Sequence, residues 1–184
     1  MRPSRVFRLI FKIFIYFLTL SVTIVSFLGG LSAFMILTNP NNIGIDSSKA
    51  EINLNPSPLN INFRFPFNIT NEGYFDLENL EVKIDLAMNY TATIDNKTKI
   101  MNIFNKSQNF GKIPKGLTGS YNFSGQFSDF YFPTGFNFTS DIDWTIGPPA
   151  ILFFANFTIN LDYSLGLHSL TIGILNIQVG GYPP

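Results

Sequence analysis

The sequence predicts an all-β domain, a two-layer antiparallel β-sandwich, preceded by one transmembrane α-helix. Three observations lead there. An uncharged apolar run fills Ile13 to Thr38, several later segments alternate apolar and polar residues with a period of two, and no amphipathic helix is legible beyond residue 38. Strands with polar outer faces and no covering helices stack sheet on sheet rather than into an α/β layer. The expected division is a basic cytoplasmic tail over 1–12, the helix over 13–38, a spacer over 39–48 and the β domain over 49–184.

The run IFIYFLTLSVTIVSFLGGLSAFMILT makes a helix of roughly 39 Å, more than the ~30 Å hydrocarbon core of a bilayer. A core helix of a soluble protein is normally shorter and shows a polar stripe, and none is legible here. A cleavable signal peptide also begins basic and then apolar, with Gly30, Ser32 and Ala33 as small residues for cleavage. Its apolar part is usually about 7–15 residues, whereas this one runs on through Phe34, Met35, Ile36 and Leu37. The reading is therefore an uncleaved anchor with the lipid bilayer as its partner. Arg2, Arg5, Arg8 and Lys12 precede it without an acidic residue, and the next basic residue is Lys49. By the positive-inside rule the N-terminus is cytoplasmic and the domain lies outside a cell membrane or endomembrane.

Asn39 to Ser48, NPNNIGIDSS, is rich in residues that disfavour both helix and strand, hence the spacer. Leu59, Ile61, Phe63, Phe65, Phe67 and Ile69 then alternate with polar residues, predicting a strand with one buried face. Pro66 lacks an N–H, which predicts an edge position or a bulge for it. After the turn at Asn71-Glu72-Gly73, a second alternating stretch runs from Leu80 to Ile94 and is expected to pair with the first. Gly111 to Gly116 reads as a loop before a third strand carrying Leu117, Tyr121, Phe123 and Phe127 on one side. The clearest alternation is Phe153, Ala155, Phe157, Ile159, Leu161, Tyr163 and Leu165. In the last segment the apolar positions switch parity from Leu170, Ile172 and Ile174 to Leu175, Ile177 and Val179, which predicts a β-bulge near Ile174. Asp129 to Pro149 fits no period and is expected to be a long loop with a helical turn.

Composition narrows the function classes. Charged residues are 13% of the chain and Phe occurs 21 times, too apolar for a disordered segment. Four of the twelve basic residues stand in the first twelve positions, so the remainder holds eight basic against twelve acidic residues, a net charge of minus four. With its lysines scattered, that remainder lacks the concentrated basic patch of a nucleic-acid surface. There is no cysteine, hence no disulfide and no thiolate metal site.

Catalytic chemistry finds little support. His168 is the only histidine and reads as a solvent-facing loop residue after Gly166-Leu167. Asp141 and Asp143 offer two carboxylates, but the Ca²⁺-loop template requires Gly and Glu where Ile146 and Leu152 stand. Asp129 and Asp162 complete the acidic residues considered for acid/base work, and scattered carboxylates on a β domain are normally solvated. No catalytic, cofactor or metal residue is assigned. Trp144 with Phe130, Tyr131, Phe132, Phe136 and Phe138 is expected to plug one end of the sandwich. Seven N-x-S/T sequons, at Asn68, Asn89, Asn96, Asn105, Asn122, Asn137 and Asn156, are candidate N-glycosylation acceptors.

The run from Phe65 to Ile84, PFNITNEGYFDLENLEVKI after its first Phe, resembles the core of the group-2 late embryogenesis abundant proteins, also called the water-stress and hypersensitive-response (WHy) domain. There an apolar strand ends at an Asn-containing turn, and the next begins with a short leucine-rich phrase. Gly111-Lys112-Ile113-Pro114-Lys115-Gly116 is similar to that family's Ile-Pro loop. The likeness covers residues 50–128; where the family has Asn-Pro at its first turn, this chain has Asn71-Glu72. It implies a fibronectin/immunoglobulin-like sandwich behind a membrane helix, without enzymatic activity. The reading of the chain as a whole is a membrane-tethered, outward-facing sandwich with a structural, protective or protein-interaction role, its partners other membrane or surface proteins. The alternative it leaves open is a domain that binds or transfers lipid through an apolar groove.

Overall fold

One helix and eight strands follow one another among the described residues: α1 (Pro3–Thr38), β1 (Ile43–Ile45), β2 (Glu51–Pro56), β3 (Leu59–Thr70), β4 (Leu77–Thr91), β5 (Thr98–Ile113), β6 (Thr118–Gly125), β7 (Ile151–Tyr163) and β8 (His168–Tyr182). The structure is a computed structural model that describes residues 3–56, 59–163, 166 and 168–182. All strand pairings are antiparallel and form two four-stranded sheets. In the first, β1 and β2 lie end to end along one edge of β3 and β6 lies along the other; the second has the order β5-β4-β7-β8.

The period-two alternation sets which face is buried. Every odd-numbered residue of β7 from Ile151 to Tyr163 is buried, and so is every even-numbered residue of β4 from Leu80 to Tyr90. In β3 the buried set is Ile61, Phe63, Phe65, Phe67 and Ile69. These faces share one core: the rings of Phe65 in β3 and Phe157 in β7 are 4.4 Å apart, and Phe63 in β3 meets Phe104 in β5 at 6.0 Å. Gly125 is placed against Phe104, where an added methyl would overlap the ring.

Leu117 and Phe127, expected on one side of the third strand, lie outside β6 and are exposed, and residues 111–113, expected in a loop, end β5. Three further expectations change. First, β3 and β4 do not pair; they belong to different sheets. The six residues between them, Asn71 to Asp76, cross from one sheet to the other, so their apolar faces meet through the core instead of side by side. Second, Pro66 is not on an edge strand, since β3 has neighbours on both sides. The bulge lies in its partner: β1 pairs as far as Phe67 and β2 resumes at Arg64, so on that edge no ladder faces Pro66. The missing N–H is tolerated there. Third, Asn39–Ser48 is not free of regular structure. Pro40–Asn42 and Ser47–Lys49 are 3₁₀ turns, and Ile43–Ile45 pairs with Ile69–Phe67.

The bulge expected near Ile174 is present: Ala155 faces Ile177 while Phe157 faces Ile174, leaving Leu175 and Asn176 against one residue of β7. Asn176 takes φ +64, and its N–H donates to Asn156 Oδ1 at 2.8 Å. The long loop expected over Asp129 to Pro149 is present and runs over 126–150, with 3₁₀ turns at Phe127–Asp129 and Trp144–Ile146. Leu165 lies outside the described residues.

Candidate functional site

The junction between α1 and the β domain is held by polar contacts between residues far apart in the sequence. Residues Val6 to Ile24 are exposed throughout, whereas Val25, Leu28, Gly29, Ser32, Ala33 and Ile36 are half-buried or buried. Their spacing of three and four places them on one helix face. Small residues let the helix approach closely; a methyl added to Gly73 would lie 2.9 Å from Ser32 Cβ. Ile36, 1% exposed, belongs to the hydrophobic core.

Polar groups pin the same face. Tyr74 N donates to Ser32 Oγ at 2.8 Å, and that hydroxyl donates to Leu28 O at 2.9 Å. Asn42 Nδ2 donates to Met35 O at 3.2 Å, satisfying one of the four carbonyls a helix end leaves open, and to Glu72 Oε2 at 3.0 Å. Asn39 Nδ2 reaches both Glu72 oxygens at 3.3 and 3.4 Å. The bonds from Asn42 and then Asn39 hold the Glu72 carboxyl below its ordinary pKa. Buried Asn71 stiffens the turn beneath: its Nδ2 donates to Phe75 O and Ile113 O, and its Oδ1 accepts from Gly73 N. Farther toward the N-terminus of α1, Ser26 Oγ lies 3.2 Å from His168 Nε2.

His168 is thus corrected from a solvent-facing loop residue to the first residue of β8, half-buried, stacked on Tyr163 at 5.7 Å and in contact with the helix. Its partner Ser26 stands 142 residues earlier, which no local pattern reveals. The only trace of the junction in the sequence is the small-residue row Gly29, Ser32, Ala33, spaced like a buried stripe.

The four aspartates serve separate local contacts. Asp129 pairs with Lys106 at 2.8 Å and accepts from Gln126 N; the lysine, then the N–H, hold its pKa low. Asp141 accepts from Asn137 N and Ser140 Oγ, Asp143 from Thr145 N and Oγ1, and both are lowered by those bonds. Asp162 accepts from Asn79 Nδ2 at 2.9 Å. The lowered pKa values of Asp129, Asp141 and Asp143 fit the capping and ion-pair contacts they make. Among the described residues no group of three His, Asp or Glu side chains is placed to hold a metal ion.

The aromatic loop closes the end of the fold away from the helix. Phe132, Phe136 and Phe138 pack on one another at 5.0–6.2 Å, and Phe136 meets Tyr90. Trp144 Nε1 donates to Phe138 O. Phe130 bridges to Phe104 and Ile142 to Ala92, tying the loop to β5 and β4, while Tyr131 stays half exposed.

Of the sequons, Asn68, Asn96, Asn105, Asn122, Asn137 and Asn156 are exposed and Asn89 is half-buried. In a strand, Asn and the hydroxyl residue two positions on share one face, which here is the outer one. Arg2 lies outside the described residues; Arg5 lies in α1, and Arg8 and Lys12 lie on exposed early turns of that helix. An open groove of about 520 Å³ runs over β1, β3 and β6 beside Asp46, Lys49 and Asn68, and none of the four aspartates above lines it.

No family model matches the sequence, and neither does any curated protein. Among solved structures the chain is similar to the putative ApaA protein from Bordetella pertussis, at 13% identity over 77% of this chain and 94% of that one, TM-score 0.36. It is also similar to Spo0M, a sporulation control protein from Bacillus subtilis, at 14% identity over 73% of this chain and 49% of that one, TM-score 0.31. Likenesses at these scores assign neither fold nor function.

Proposed function

We propose that this chain is a membrane-anchored, non-enzymatic module: a fibronectin-like β-sandwich held outside the bilayer by α1, with a structural, protective or protein-interaction role. The observation that carries this reading is the junction. Val6–Thr38 is long and apolar enough to cross a membrane, and its C-terminal turns are built into the core of the domain. A domain bonded to its own anchor is presented as a fixed body, which fits display or protection at a surface. The same bonds favour an uncleaved anchor over a signal peptide, because cleavage near Ser32 would strip the partner of Tyr74 N. The WHy resemblance of residues 50–128 supports this reading, and the outward sequons fit an exterior location.

The competing reading is a lipid carrier, which needs a continuous accessible apolar channel. Phe63, Phe65, Phe104, Phe123, Phe153 and Phe157 fill the space between the sheets, which favours a closed core. The full chain reconstituted in donor vesicles is expected to leave the movement of a fluorescent phospholipid to acceptor vesicles at its protein-free rate. Transfer that accelerates with protein density would establish the carrier reading instead.

A further inference from the structure

We infer that the helix-side end of the β domain, from the Asn71–Asp76 turn to the start of β8, rests in the outer headgroup layer of the membrane, with the start of β8 reaching deepest. The inference rests on the anchor reading above and adds to it where the domain sits. The helix supplies the ruler. From Ile13, the first residue past Lys12, to Ser32 the rise is roughly 28 Å at 1.5 Å per residue, close to the ~30 Å hydrocarbon thickness. Ser32 is bonded to Tyr74, so Tyr74 stands at the outer boundary when Lys12 stands at the inner one. Ser26 lies about 9 Å farther in along the helix, and its partner is His168. Lys12 and Arg8 can extend toward the cytoplasm and shift this scale outward by about one turn, or ~5 Å. Both limits put the start of β8 at or below the outer headgroups.

The side chains at that end suit the place. Tyr74 is 44% exposed with Lys115 Nζ 5.6 Å from its ring centre, and Leu117, two residues after Lys115, is 56% exposed. The backbones of the two loops are joined, Asn71 N donating to Leu117 O at 2.9 Å. An aromatic ring, a flexible cation and an exposed aliphatic are the residue types that anchor proteins at a lipid interface. At the far end of β4, by contrast, Ile94 is 89% exposed and belongs to the end that points away from the helix.

The chain has no cysteine, so single nitroxide labels can be placed in the full-length protein without background. Leu20→Cys, Ser169→Cys, Thr171→Cys and Ile94→Cys, all at exposed positions, are reconstituted in phosphatidylcholine vesicles. Each label's collisions with oxygen are compared with those with a water-soluble nickel chelate. The expected order of the oxygen-to-nickel ratio is Leu20 highest, then Ser169, then Thr171, with Ile94 lowest and Ser169 several-fold above Ile94. A Leu20 label deep in lipid with Ser169 and Thr171 as aqueous as Ile94 overturns the inference and leaves the anchor standing. An aqueous Leu20 label overturns the anchor reading, and the inference with it.

Discussion

Ile159 and Asn160 stand side by side in β7 and have opposite surroundings. Ile159 is 1% exposed in the core, whereas Asn160 faces outward and accepts from Thr171 Oγ1 at 2.9 Å. Ile159→Asp buries a charge with no partner and is expected to cost roughly 3 kcal/mol or more. Asn160→Asp keeps an oxygen for Thr171 and is expected to cost less than about 0.5 kcal/mol. Thermal melts that shift equally for the two variants would refute the register. The alternation made these positions legible in the sequence because each buried residue of β7 is apolar. His168 was not legible, because its role depends on Ser26, and a lone histidine after Gly166-Leu167 carries no local sign of a helix packed against it.

At the scale of elements, legibility tracked how uniform a strand's inner face is. β5 carries no legible alternation, since it is an edge strand whose half-buried side chains include Lys99, Lys106 and Gln108. Ile103 is the extra residue of a bulge opposite Leu86 and Ala87, which leaves it and Phe104 buried side by side and breaks the alternation. The junction was hidden in a different way: within an apolar run, a face that packs on protein and a face left exposed have similar residues. Its ionisable group makes it testable. Glu72 has a folded-state pKa lowered by Asn42 and Asn39, so its contribution is fully present above the ordinary glutamate value of about 4.3 and is lost as the pH falls through the lowered one. Glu72→Gln removes that titration. Between pH 7 and 3 the melting temperature of the parent protein is therefore expected to fall more than that of the variant, with the other carboxylates of lowered pKa, Asp46, Asp76, Asp129, Asp141 and Asp143, contributing equally to both. Parallel profiles would show that the carboxylate does not tie the helix to the domain.

For the whole molecule, the domain does not begin where the alternation begins. A start at residue 49 follows from reading Asn39–Ser48 as a spacer, yet β1 pairs with β3, Asn42 is buried, and Ile36 is part of the core. A fragment starting at Ser47 loses all of these. Exposing the core surface that Ile36 covers costs about 1.5–3 kcal/mol, and Tyr74 N, left without Ser32 Oγ, costs about 1 kcal/mol more wherever water does not replace it. A fragment starting at Val25 retains the docked turns, the 3₁₀ turn at Pro40–Asn42 and β1. Compared in the same mild detergent, the Val25 fragment is expected to melt close to the full chain. The Ser47 fragment is expected to melt at least several degrees lower and to bind an apolar dye, because a stability loss of 1 kcal/mol moves the midpoint of a domain this size by about 2–8 °C. Fragments of equal stability would mean that α1 merely leans on a self-sufficient β domain. The bonds from Ser32 and Asn42 would then orient the domain without stabilising it.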